Sequence, residues 1–129
     1  RYVAELIGSP PMNFIDGTFA DGKFTAEKEN VIVAIDGVSA SGAATLAIRP
    51  EDIEIRDSDQ PGIDAKVYEV EPLGAFTIVD IIIGEKIVKV QVTGQPDFEL
   101  GSGVRLNFDP LNCHLFDGVS GDIIAHAKH

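Results

Sequence analysis

Residues 75–93 read AFTIVDIIIGEKIVKVQVT. Two runs rich in β-branched residues flank Gly84-Glu85, and a two-residue loop with glycine first suits the type II′ turn that joins antiparallel strands. That turn fixes a register: Ile83 opposite Lys86, Ile81 opposite Val88, Val79 opposite Val90, Thr77 opposite Val92. This face is apolar and belongs to a core. The other face sets Ile82 against Ile87 and Asp80 against Lys89, an opposite-charge cross-strand pair that contributes about 0.2–1 kcal/mol. A slip of one residue would send the apolar set to solvent, so the stretch predicts a hairpin with one buried face.

Working outward, strand and turn signals continue. MNFIDGTF and KFTAE join through Ala20-Asp21-Gly22, and Asp-Gly is a hairpin signal. VIVAI (31–35) reads as a short buried strand, SASGAA as a loop and ATLAI (44–48) as another strand. EIRDSDQPGID reads as a polar loop or edge, and AKVYEVEPLG as a strand ending in a turn at Pro72-Leu73-Gly74. After the hairpin, Val104, Leu106 and Phe108 alternate with Arg105, Asn107 and Asp109. A turn at Asp109-Pro110, a strand CHLF, a turn at Asp117-Gly118 and a strand GDIIA complete the pattern. Many short strands with frequent turns predict an all-β barrel or sandwich, with the OB-like barrel the natural candidate at this size. RYVAELIG (1–8) reads instead as the end of a helix, stopped by Gly8 and Ser9-Pro10-Pro11. The expected organisation is therefore 1–8 as the end of a helix from a preceding domain, 9–125 as the barrel and 126–129 as a tail.

The 129 residues carry 21 acidic and 10 basic side chains, a formal charge of −11. That balance repels phosphate backbones, whose affinity rests on Lys and Arg releasing counterions. There is no Trp and no basic cluster, so an OB-type nucleic-acid binder, which needs stacking aromatics on a basic face, is not expected. One cysteine cannot form an intrachain disulfide and fits a reducing compartment. No stretch is long and apolar enough for a bilayer span.

Chemical motifs are sparse. The sequence has no G-x-x-x-x-G-K-[ST] phosphate loop, no G-x-S-x-G and no H-E-x-x-H. DSDQPGID (57–64) hints at a calcium loop, but Pro61 takes its fifth position and Tyr68 its twelfth, where a chelating Glu is required. Cys113 and His114 are adjacent, yet in a strand neighbours point to opposite faces. Cys113 then goes with Leu115 and His114 with Phe116, so the pair cannot act as nucleophile and base. A buried structural thiol is expected.

IGSPPMNF (7–14), LAIRPEDI (46–53), VEPLGAFTIV (70–79) and FDPLNCHLFDGVSGDII (108–124) occur in this order. Together they resemble the ATPase subunits of binding-protein-dependent ABC importers of the sugar and glycerol-phosphate type, such as the maltose importer's. The resemblance covers nearly the whole chain and falls on the C-terminal regulatory region built on OB-like "TOBE" barrels. It implies a non-catalytic regulatory and dimerisation domain, with no cofactor of its own and with ATP and Mg in the full-length subunit. The implied partners are the same domain of a second subunit, the transporter's membrane subunits through the full-length protein, and a possible regulatory protein. The implied location is cytoplasmic, peripheral to the inner face of the cell membrane. Stretches matching the family's regulatory loops hold Arg49, Pro50, Glu51, Leu73, Gly74, His114 and Phe116. The chain departs from the family in having Ala47 where Gly is common, and apolar Ala75-Phe76 where polar residues are usual. The alternative is a small oxyanion- or metabolite-binding barrel of the molybdate-binding type, to which Ser39-Ala40-Ser41-Gly42 could lend a nest of backbone N–H groups.

Overall fold

A computed structural model describes residues 12–39 and 41–125; the expected helix at 1–8 and the tail at 126–129 lie outside them. Eleven strands follow in order: β1 (Asn13–Ala20), β2 (Lys23–Ala26), β3 (Val31–Ala34), β4 (Gly42–Ile48), β5 (Ile53–Asp57), β6 (Ile63–Pro72), β7 (Phe76–Ile83), β8 (Lys86–Thr93), β9 (Gly103–Phe108), β10 (His114–Asp117) and β11 (Ile123–Ala125). Single 3-10 turns at Pro50–Asp52 and Pro110–Asn112 interrupt them. The predicted all-β architecture is present.

The strands form two antiparallel sheets. One has six strands in the order β11-β10-β4-β1-β2-β3, the other five in the order β5-β9-β6-β7-β8. The five-stranded sheet curls until its outer strands β5 and β8 meet, with the Pro50–Asp52 turn packed on β8. Strand β6 makes this closure possible. Its first part pairs with β9 and its remainder with β7, around an irregularity between Val67 and Glu69. The result is an OB-like barrel extended by a second, six-stranded sheet.

The predicted hairpin has the expected register at all its pairs, from Phe76 opposite Thr93 to Ile83 opposite Lys86. Gly84 has φ of 59°, the positive angle a type II′ turn needs at its first central position. A Cβ at Gly84 would also strike the Lys28 carbonyl, because the hairpin tip rests on the β2–β3 turn. At the β1–β2 turn both Asp21 (φ 54°) and Gly22 (φ 77°) are left-handed, the type I′ pattern.

Ile15, Leu46 and Leu115 form one row across β1, β4 and β10 on the core side. Val79, Ile81, Ile83, Val88 and Val90 supply the hairpin's share of the core. One reading needs correcting. VIVAI is not buried throughout: Val31, Val33 and Ile35 are buried, but Ile32 is 64% exposed and Ala34 is exposed, because alternate residues of the strand face outward. EIRDSDQPGID, read as loop or edge, is both: β5 ends its sheet, paired with β9 through Asp57, and then the loop begins.

Candidate regulatory surface

β4 is paired on both sides and buried on both faces. On its outer face, Phe14, Ala47 and His114 line up across β1, β4 and β10; the next row is Asp16, Thr45 and Phe116. Phe116 is buried with Met12 and Ala47, and half-buried Phe14 packs against them. Ala47, the departure from the family's glycine, thus fills a small outer apolar cluster. Thr45 Oγ1 lies 2.8 Å from Asp16 Oδ1 and donates to it. His114 is half-buried in its row.

The Arg49–Glu51 stretch leaves the end of β4, one step beyond the Asn13–Ile48 pair. Pro50 is buried as the first residue of a 3-10 turn, Arg49 half-buried and Glu51 exposed. Proline suits this place because the first N–H of a helical turn has no partner to lose. Arg49 makes no ion pair with a described carboxylate. The neighbouring turn at 109–113 is closed by Asp109, whose carboxylate accepts the Leu111 N–H at 3.0 Å.

Cys113 follows that turn, 2% exposed, its thiol donating to the Asp109 carbonyl at 3.5 Å. Burial, and then the charges of Asp109 and Asp52, push the thiol up to about 12. The expected separation holds: Cys113 and Leu115 belong to the core, while His114 and Phe116 lie on the outer face. The His114–Ala47 pairing sets the start of β10 two residues before Arg49 along β4.

The sequence-predicted residues therefore divide. Arg49, Pro50, Glu51, His114 and Phe116 gather at the β4–β10 end of the six-stranded sheet. Leu73 and Gly74 sit in the β6–β7 turn of the other sheet. There Leu73 is 50% exposed, and its N–H donates to the Phe76 carbonyl at 2.9 Å. Gly74 has φ of 92°, and Gln95 Nε2 donates to its carbonyl at 3.1 Å. Sequence reasoning missed Asn13, whose side chain bonds the backbone of Lys89, 76 positions away, a link that no local pattern announces. It also missed the position of β3 at the end of its sheet among the described strands, which the five apolar letters of VIVAI do not announce.

Among the described residues no three His, Cys, Asp or Glu side chains are placed to hold a metal ion. An open groove of about 730 Å³ between Asp16, Thr45 and the 117–122 loop is lined chiefly by small and acidic residues. Ser39 and Ser41 flank Ala40, which lies outside the described residues, so the proposed anion nest is not visible. No helix among the described residues is long and apolar enough to cross a membrane.

Two family models match: "TOBE domain" over residues 46–116 and "MalK OB fold domain" over residues 8–53. Among curated proteins, the chain is 33% identical over 98% of its length to the xylose/arabinose import ATP-binding protein XacK of Haloferax volcanii, covering 36% of that protein. It is 32% identical over 94% of its length to the sn-glycerol-3-phosphate import ATP-binding protein UgpC of Salmonella paratyphi A, covering 35% of it. The uncharacterized ABC transporter ATP-binding protein YcjV of Escherichia coli is 32% identical over 90% of the chain and 34% of its own length. The chain spans about a third of the length of these relatives. With more than half of its residues matched by one model and the preceding segment by the second, the chain belongs to the TOBE-domain family, in the form found with ATP-binding subunits of sugar-type ABC importers.

Proposed function

We propose that this chain is the non-catalytic regulatory and dimerisation domain of the ATP-binding subunit of an ABC importer for carbohydrate or glycerol phosphate. The observation that carries the reading is the adjoining pair of family matches, 8–53 and 46–116, shared with relatives named as import ATP-binding proteins. Its lack of a phosphate loop agrees. ATP and Mg²⁺ would then act in the ATPase domain of the whole subunit, with the membrane subunits as its further partners, at the cytoplasmic face of the membrane.

The mechanism is coupling by contact. Two copies associate through these domains and hold the subunits together while the ATPase domains open and close. A regulatory protein docks on the Arg49–Glu51 turn, with His114 and Phe116 beside it and Leu73-Gly74 as a second contact. It changes activity only as far as it binds one arrangement better than the other. The test compares the full-length subunit with one ending before Met12. In the absence of nucleotide, only the intact subunit should remain a dimer. Equal dimerisation of both would overturn the reading.

A further inference from the structure

We propose that Asp36-Gly37 is the chain's site of spontaneous isoaspartate formation, a modification that the fold allows at this pair and blocks at three other Asp-Gly pairs. Those are Asp16-Gly17, Asp21-Gly22 and Asp117-Gly118. The tetrapeptide Asp-Gly-Val-Ser occurs at both 36–39 and 117–120. Two of the pairs therefore share one local sequence and differ only in their surroundings.

The chemistry sets the requirements. The glycine nitrogen attacks Cγ of the preceding aspartic acid. A C–N bond forms, the N–H proton and the carboxyl hydroxyl leave as water, and a five-membered succinimide closes. Water then adds to either ring carbonyl. Breaking the new C–N bond restores aspartate, whereas breaking the old peptide bond leaves the chain running through Cβ and Cγ. One water leaves and one enters, so no oxidant is needed. Glycine offers no Cβ to obstruct its nitrogen. The carboxyl group and the glycine N–H must both be unengaged, and the peptide between them must rotate.

Asp36-Gly37 meets these requirements. Both residues are exposed, in a turn past the end of β3. Neither makes a hydrogen bond to another described residue. Ile35 and Val38 pack on the core at either end, and the Ile35 N–H donates to the Gly22 carbonyl at 2.9 Å. The two residues between these anchors are left to turn.

Asp117-Gly118 fails each requirement. The Gly118 N–H donates to the Ala43 carbonyl and the Asp117 carbonyl accepts the Gly121 N–H, both at 2.9 Å, so the peptide is pinned on both sides. The Asp117 carboxylate accepts the Val119 and Ser120 N–H groups. Those bonds favour its ionised form, which has no hydroxyl to lose. Asp16-Gly17 lies within β1 opposite Thr45 and Ala44, and Asp16 accepts the Thr45 hydroxyl at 2.8 Å. Asp21-Gly22 is a two-residue turn closed by the Ala20–Lys23 pair, with the Gly22 carbonyl holding Ile35. Rotating its peptide would open the β1–β2 hairpin. A locked site must wait for local opening, which is cheap in mobile loops and costs up to the global stability in core strands.

The test incubates the folded chain at pH 7 and 37 °C. The chain is then unfolded and cut with an endoprotease that cleaves before aspartate and not before isoaspartate. Cleavage before Asp36 should be lost at least tenfold faster than before Asp16, Asp21 or Asp117. An intermediate lighter by one water should appear in the peptide that holds 36–37. When the incubation is repeated in urea, the rates at Asp36 and Asp117 should converge. Equal loss at Asp36 and Asp117 in the folded chain, or faster loss at Asp16 or Asp21, would overturn the proposal. A preference for Asp36 that persists undiminished in urea would also overturn it, because the fold would then not set the rate.

Discussion

The side chain of Asn13 and the backbone of Lys89 exchange two hydrogen bonds, Nδ2 donating to the Lys89 carbonyl and the Lys89 N–H donating to Oδ1, each at 2.8 Å. The amide group imitates a paired strand. It ties β1 of the six-stranded sheet to β8 at the rim of the barrel, while the Lys89 ammonium pairs with Asp80 at 2.9 Å on the outer face. Each such bond is worth about 0.5–1.5 kcal/mol net. Asn13→Ala should lower stability by about 1–3 kcal/mol on that scale. In urea this appears as a lower midpoint with an unchanged slope; an unchanged midpoint would show that the two sheets do not depend on this tie.

Gly84 and Gly74 separate two costs of a side chain. Both have positive φ, but a Cβ at Gly84 meets the Lys28 carbonyl whereas one at Gly74 meets nothing within 4 Å. Gly74→Ala should lose about 1–2 kcal/mol, the left-handed backbone penalty alone. Gly84→Ala should lose a further ~1–3 kcal/mol from the clash at the hairpin tip. Denaturation midpoints in the reverse order would refute the docking of that tip on the β2–β3 turn.

Burial pushes the Cys113 thiol up to about 12 in the folded chain, above its ordinary value of 9.0. A raised value means that the fold binds this proton more tightly than the unfolded chain does. Its contribution is complete below pH 9 and is lost as pH rises from about 9 to 12, with a slope of about 1.4 kcal/mol per unit. Cys113→Ala should abolish that part of the alkaline decline. Modification by a neutral-pH thiol reagent should be slow in the native chain and fast after unfolding; equal rates would contradict burial.

Asp117 behaves oppositely. Its carboxylate accepts the Ser120 and Val119 N–H groups, both at 2.9 Å, and these hold it below the ordinary carboxylate range. A depressed value gives stability that is present above the unfolded value and is lost as pH falls through the folded one. Asp117→Ala should therefore be less stable than wild type at neutral pH. The difference should shrink on acidification, as read from thermal midpoints across pH 7 to 3. A constant difference would mean that the loop does not use the charge.

The hairpin 76–93 was legible because two faces constrained one register, and Asp80–Lys89 had a single place to fall. The separation of Cys113 from His114 followed from strand alternation alone. Edges were harder. Five apolar letters in VIVAI do not say that, among the described strands, β3 has a neighbour on one side only, and in EIRDSDQPGID the sequence left loop and edge undivided until β9 supplied a partner as far as Asp57. Of the surface residues, the stretches around 49–51 and 114–116 were brought together by the β4–β10 pairing, a contact between segments more than sixty residues apart. Leu73-Gly74 belongs to the other sheet, a division that motif order does not encode.

Sedimentation equilibrium of the 129-residue chain across a wide concentration range, at low and high salt, tests the central claim most directly. The dimerisation reading predicts a reversible rise from 13.8 kDa to twice that mass, at lower protein concentration as salt screens the net charge of −11. A mass that stays at 13.8 kDa at every concentration and salt would contradict it.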